Sequence, residues 1–321
     1  MPSSFTHACF ALDIYKKLNQ NTQDKLKDYK DYFITFNHGP DFFYFSPKKI
    51  HKKLGYDIHK TKTKIFFINM IKYIKENQLG NNMEIISFLY GFICHYVADS
   101  TIHPFVYYKT GVFNKQKPKT YKYSGKHMEM ETFIDLYLID KNKNIKSSYF
   151  KVYKYCFKTK QLSQPLKKMI DSTISKTFDK NSTGEVYMNS IKRMIFFFWF
   201  YRYDPYGIKK RLYQIVDTIS PRYFVKKTPL SYNMNLDKYT HYLNLEKKEW
   251  NHPVDINEKY NYSFFDLYEI AQQEALKIIN ATNKVIYNKY EINYLDKYLL
   301  NKSYITGKDA AMNLKMKYFE K

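Results

Sequence analysis

The chain has 321 residues, of which 44% are hydrophobic and 19% aromatic, enough apolar material for a buried core and far from the composition of a disordered chain. Its formal net charge of +23 points, taken alone, to nucleic acid or an anionic lipid surface. All but four of the 53 basic residues are lysine, however, spread over the whole length beside an excess of Asn, Ile, Tyr and Phe, so the charge reads as a solvated lysine coat, with attraction for anionic phosphate substrates or membranes as the alternative.

Met1-Pro2-Ser3-Ser4-Phe5-Thr6-His7 lacks a basic patch followed by an apolar run, so no export signal is expected and the expected location is cytoplasmic. The longest apolar run, Met194 to Tyr201, falls short of the ~20 residues that cross a bilayer, and no membrane span is expected. Cys9, Cys94 and Cys156 are odd in number, far apart and in no CxxC pair, which fits a reducing compartment. Any metal must then be held by histidines and carboxylates.

With only 9 Gly and apolar residues recurring at three-to-four spacing, helix is expected throughout: near 6–19, 62–78, 83–103, 125–139, 164–178, 185–203, 206–218 and 263–290. Ser263 and Asp266 have the spacing of an N-terminal cap for the last of these. Loops are expected over 36–60, 107–124 and 220–262, where Gly and Pro accumulate. The fold class is all-α, a single multi-helix bundle over 1–321 with its ligand-bearing part in 1–140 and a helical remainder in 141–321. A split near 145–160 is the alternative.

Along the chain, His7 follows a short terminal segment in which Pro2 is compatible with loss of Met1, and a free amino terminus near an imidazole can join a metal site. Next comes Asn37-His38-Gly39-Pro40-Asp41-Phe42-Phe43-Tyr44, followed by His51 and His59, in a loop-like region where functional groups commonly sit. Asp41 and His59 are candidate ligands, whereas His38 and His51 read as supporting or surface groups. Phe42 and Tyr44 either shape a substrate pocket or pack in the core.

The most informative segment is Gly91 to Pro104, apolar on nearly every side except for His95, Asp99 and His103. Positions four apart share a helix face, so these three form a stripe of ligand types inside an apolar setting, where a buried Asp is costly without a cation. An Asp–His hydrogen-bond ladder is the bland alternative. His127 and Glu131 repeat the spacing on another expected helix, a weak signal alone that gains weight beside the first stripe. Glu129 is expected to point elsewhere.

These residues carry a resemblance to the zinc-dependent phospholipase C family, related in fold to the single-strand-specific trinuclear-zinc nucleases. The matching motifs are Pro2-Ser3-Ser4-Phe5-Thr6-His7, Gly39-Pro40-Asp41-Phe42-Phe43, His59-x-Thr61-Lys62-Thr63, Phe92-x-x-His95-x-x-x-Asp99-Ser100-Thr101-x-His103-Pro104 and His127-x-x-x-Glu131. Weaker echoes follow in Trp250-Asn251-His252-Pro253, the helix from Ser263, and Ser303-Tyr304-x-Thr306-Gly307. The resemblance implies a helical bundle holding two or three zinc ions and a water that attacks phosphorus. It implies Asp41, His59, His95 and Asp99 around one zinc, His103, His127 and Glu131 around a second with Asp99 bridging, and His7 at a third, where secreted members also use their amino terminus.

The first expectation is thus a zinc-dependent phosphodiester hydrolase acting on a phospholipid or another phosphodiester, with Asp41 orienting or deprotonating the water. Phe42 or Tyr44 would receive a quaternary ammonium by cation–π attraction. A nuclease or nucleotide phosphodiesterase on the same scaffold is the second reading, with nucleic acid the lesser expectation as partner. A non-enzymatic, zinc-stabilised protein that binds membrane surfaces is the third. Peripheral membrane contact is compatible with the charge, and no obligate protein partner is evident.

Overall fold

Because apolar residues recur every three to four positions, nearly every segment must bury one stripe against a neighbouring helix. The computed structural model, which describes residues 4–143, 145–159, 161–181, 183–287 and 290–320, is built accordingly. Helices α1 (Ser4–Lys17), α2 (Gln20–Leu26) and α3 (Lys30–Phe36) lead into a 3-10 turn, Gly39–Phe45, and then α4 (Lys49–Lys60) and α5 (Thr63–Glu76). The long α6 (Met83–Thr110) is followed by α7 (Lys126–Lys143), the short α8 (Val152–Cys156), α9 (Gln164–Phe178) and α10 (Thr183–Phe197), which runs into a π-helical turn, Phe198–Arg202. After α11 (Ile208–Ile219) come a two-stranded antiparallel hairpin, β1 (Trp250–His252) and β2 (Asp255–Tyr260), and α12 (Phe264–Tyr287).

Helix α6 is the axis of the molecule. Asn82 caps it, its side-chain oxygen accepting from the Ile85 N–H at 3.2 Å, and α12, α3, α1 and α7 pack around it. Gly91 lets α3 approach closely, since a Cβ there would lie 2.6 Å from the Phe36 carbonyl carbon. Among the described residues α6 alone has the length and apolarity of a membrane span, but 89% of its most apolar window is buried within the protein. One cluster of buried apolar side chains runs from Phe5 to Tyr304.

The structure departs from the sequence expectations in several places. Residues 36–60 are not a loop: the 3-10 turn and α4 fill them, Leu54 and Ile58 being buried while the lysines face solvent. Helix α6 does not stop at 103 but continues through Pro104 to Thr110. A proline deprives Ser100 of its usual helical donor yet need not end a helix packed on all sides. The 220–262 stretch contains the β1–β2 hairpin, with Trp250 buried at 2% exposure against Phe105 and Tyr260, so the all-α bundle carries one small sheet. The short helices α2, α3 and α8 were not expected either, whereas the Ser263–Asp266 cap forms in both directions.

Candidate metal centre

Four chain segments meet beside α6. That helix presents His95, Asp99 and His103 on one face, α1 supplies His7, the 3-10 turn and the end of α4 supply Asp41 and His59, and the first turns of α7 supply His127 and Glu131. All except the part-buried His127 are buried. The structure brings all eight expected residues into one chain of contacts. Asp99 faces His7 Nε2 through Oδ1 at 3.3 Å, and through Oδ2 it faces His95 Nε2 at 3.3 Å, His59 Nε2 at 3.7 Å and His103 Nδ1 at 3.7 Å. His59 Nε2 lies 3.2 Å from Asp41 Oδ1, and Glu131 Oε1 lies 2.6 Å from His127 Nε2 and 3.7 Å from His103 Nε2.

Local geometry aims these donors inward. His95 Nδ1 donates to the Asn37 carbonyl at 3.1 Å, His59 Nδ1 to the Gly55 carbonyl at 2.7 Å, and His103 Nδ1 to the Tyr304 carbonyl at 2.8 Å. With Nδ1 committed in this way, each ring turns its Nε2 toward the cluster, which is how protein carbonyls orient metal-binding imidazoles. The 3-10 turn must come very close for this: Gly39 has φ +46°, and a Cβ there would sit 2.6 Å from His95 Cγ. Helix α1 is fixed by a carboxylate from another helix, Asp135 of α7 accepting from the N–H groups of Phe5 (3.0 Å) and Thr6 (2.7 Å). The C-terminal segment braces the far side, where the Tyr304 N–H donates to the His59 carbonyl at 2.9 Å.

The donor set fits zinc. His7 Nε2, both Asp41 oxygens, Asp99 Oδ2 and His103 Nε2 are buried without a hydrogen-bond partner among the described residues. Such orphaned groups are costly unless a cation meets them. His95 Nε2 and His59 Nε2 stand 3.4 Å apart, both directed into the cluster. Two donors each roughly 2.0–2.1 Å from one tetrahedral zinc are about 3.3–3.4 Å apart. The separations of 3.2–3.4 Å linking Asp41, His59, His95, Asp99 and His7 match that edge. Three groups each place one ligand atom per residue within 4.8 Å of the others: His7, His95 and Asp99; Asp41, His59 and His95; and His103, His127 and Glu131. None of them contains a cysteine.

Charge distribution follows from the same packing. Burial favours the neutral acids, but the surrounding imidazoles outweigh it and hold Asp41, Asp99 and Glu131 below the usual carboxylate range. Burial keeps His7 and His127 below the ordinary imidazole value, whereas at His95 and His103 the neighbouring carboxylates overcome burial and raise it. The cluster thus offers anionic carboxylates, the state a divalent cation requires of them, and a cation bound there would displace the protons that those carboxylates favour on His95 and His103.

A cleft of ≈ 730 Å³ opens onto His127 and Glu131, walled by Tyr44, Tyr107, Phe113, Phe197 and Arg202. The Tyr44 ring stacks on His59 at 5.5 Å. Phe42 has a different place: fully buried, it packs on Tyr187 at 5.2 Å and on His38 at 5.7 Å, so the expectation that it shapes a substrate pocket is corrected to core packing. His38 lies behind the cluster, bonded to the carbonyls of Thr35 and Ser4, and His51 bonds the Ser46 hydroxyl away from it. Glu129 turns outward to Lys126 and Tyr242. Pro2, named with the third site, lies outside the described residues. Asp135 and Tyr107 were missed, although each extends an i, i+4 stripe already in view, Asp135 beyond Glu131 and Tyr107 beyond His103.

Neither the curated proteins nor the solved structures compared with the chain gave a match. The family model described as zinc dependent phospholipase C matches residues 5–180, more than half of the chain and all eight clustered residues. On that match the chain belongs to the zinc-dependent phospholipase C family.

Proposed function

We propose that this chain hydrolyses the phosphodiester bond of a phospholipid, using zinc held by Asp41, His59, His95, Asp99 and His7 on one side and by His103, His127 and Glu131 on the other. The observation that carries the reading is the run of 3.2–3.4 Å separations among buried donors lacking other partners. When bound, zinc supplies Lewis-acid charge to the phosphoryl oxygens and acidifies water. Asp41 is the group we assign to orient the attacking water and receive its proton, since both its oxygens are buried without a hydrogen bond.

Tyr44 and Tyr107 wall the cleft with aromatic faces suited to a headgroup cation, and Arg202, with Arg193 and Lys52 at the margin, attracts the phosphate. The cleft's aromatic lining restricts water around the reacting group. Ligands from the first 131 residues are braced by Tyr304, so we take the whole chain to act as a single unit.

Metal analysis of the purified protein, followed by a panel of phospholipid, nucleotide and oligonucleotide phosphodiesters with and without chelator, tests the reading. The expected result is zinc in the protein and chelator-sensitive release of diacylglycerol. Zinc-free protein, or activity indifferent to chelation, overturns it, and turnover of nucleotides alone transfers it to a nucleotide phosphodiesterase.

A further inference from the structure

Helix α11 lies beyond the segment that the family model matches and is built unlike the other long helices, for none of its residues is buried. Ile208, Leu212, Ile215 and Ile219 follow one another at four-, three- and four-residue steps, so they form a single stripe, and they are 61%, 56%, 58% and 76% exposed. Its one acid, Asp217, is turned away and tied to the backbone N–H groups of Lys227 (2.6 Å) and Thr228 (2.8 Å). Exposed aromatic residues flank the helix in the chain: Trp199 and Phe200 before it, Tyr223 and Phe224 after it. An exposed apolar stripe of this kind needs an occupant.

The charge beside the stripe indicates which one. Residues 208–227 contain six basic side chains against the single Asp217. Of the four arginines in a chain otherwise supplied with lysine, Arg211 and Arg222 lie in this stretch and Arg193 and Arg202 line the cleft. Arginine binds phosphate oxygens in a forked, two-bond geometry that lysine lacks. The surface is also continuous with the cleft: Phe197 and Val225 form part of its wall, and the 224–226 turn is fixed to Ser124, just ahead of α7, by the Ser124 hydroxyl donating to the Phe224 carbonyl at 3.0 Å and accepting the Lys226 N–H at 3.1 Å.

We propose that α11 and its aromatic flanks dock on a bilayer containing anionic lipid, the apolar stripe entering the headgroup boundary and Arg211, Arg222 and Lys226 meeting lipid phosphates, so that the cleft faces the membrane. The inference rests on the phosphodiesterase reading for its purpose, but binding can be measured without turnover. An apolar helix face flanked by basic groups is the physical form of an interfacial anchor.

The full-length protein provides its own reporter, because Trp250 is buried and Trp199, the other tryptophan, lies on the proposed surface. With vesicles of equal parts phosphatidylcholine and phosphatidylserine, Trp199 emission is expected to shift to the blue and the protein to sediment with the lipid, less so in high salt. Trp199→Phe removes the emission change and keeps most of the sedimentation. The double variant Ile215→Glu/Ile219→Glu should bind at least about tenfold more weakly, while hydrolysing a water-soluble phosphodiester at the wild-type rate and melting at an unchanged temperature. Arg211→Gln/Arg222→Gln, which keeps the stripe, should lose binding to the anionic vesicles. Wild-type-like vesicle binding by the Glu variant overturns the proposal, as does a wild-type protein that ignores vesicles and is a dimer dispersed by the same substitutions. Loss of soluble-substrate turnover in every protein, with binding intact, counts against the phosphodiesterase reading and leaves the docking surface standing.

Discussion

Asp99 faces four imidazoles, His7 through one oxygen and His59, His95 and His103 through the other. Its replacement by alanine leaves those rings buried around nothing. Asp99→Ala is therefore expected to lose its zinc by more than the ~10–100-fold in affinity that removal of an outer hydrogen-bond partner costs, and to lose phosphodiesterase activity with it; zinc at wild-type stoichiometry by mass spectrometry would falsify the shared role of this carboxylate. His7 touches the cluster on one side only, so His7→Ala should shed about one ion per chain and stay folded. Unchanged stoichiometry would make His7 a packing residue that merely stacks on His95 at 4.5 Å. Gly39→Ala acts from outside the donor set, forcing a left-handed backbone that costs an L-residue about 1–2 kcal/mol and driving a methyl into His95. A variant melting like wild type with full zinc would refute the close-approach argument. His95, Asp99 and His103 could be named from spacing by four on an otherwise apolar helix, and His127 and Glu131 from the same spacing beside them, whereas His7, Asp41 and His59 lie on other segments and were singled out from their neighbours through the family resemblance. The carbonyls of Asn37, Gly55 and Tyr304 that orient the rings leave no mark in residue type.

At the scale of elements, helices whose buried stripe is long were legible, and short or interrupted ones were not. Residues 164–178 were expected and found as α9, because Leu166, Met169, Ile170, Thr173 and Ile174 repeat cleanly and Ser163 caps the start. Helix α4 was read as loop because Ser46-Pro47 and Gly55 suggest turns, while only Leu54 and Ile58 of its apolar residues are buried; its folding rests on contacts with the 3-10 turn and α5. What holds α1 in place was also hidden, since a cap supplied from 130 residues away cannot be inferred from local sequence. Asp135→Ala removes that cap and unpairs the first N–H groups of the helix carrying His7. We expect a loss of about 1–2 kcal/mol, seen as a melting temperature lower by a few degrees, together with weakened retention of the ion beside His7. If the variant retains wild-type stability and zinc content, α1 is positioned by its apolar face alone.

For the whole molecule, composition distinguished globular from disordered but gave little guidance on the surface, because a uniform lysine coat obscures where charge has been placed. The position of the arginines, two in or beside α11 and two lining the cleft, was the informative quantity. Burying three carboxylates and five imidazoles in one cluster has a global consequence as well. The folded chain carries a set of groups that bind a divalent cation and that the unfolded chain does not hold together, so metal binding and folding are linked. At free zinc about a hundredfold above its dissociation constant, one site adds ~2.7 kcal/mol to stability, and at ~2–4 °C per kcal/mol for a chain of this class the melting temperature should rise by roughly 5–10 °C. The measurement is thermal unfolding of chelator-stripped protein with zinc added back, alongside the Asp99→Ala variant as control. Zinc should restore the stripped wild type and leave the variant where it began, because the variant lacks the carboxylate joining the groups. Calcium or magnesium should do far less, since imidazole nitrogens suit zinc and the harder cations select all-oxygen sites. Equal stabilisation by magnesium would show that the carboxylates alone are being satisfied, and absence of any shift would mean that the buried donors are already balanced within the protein.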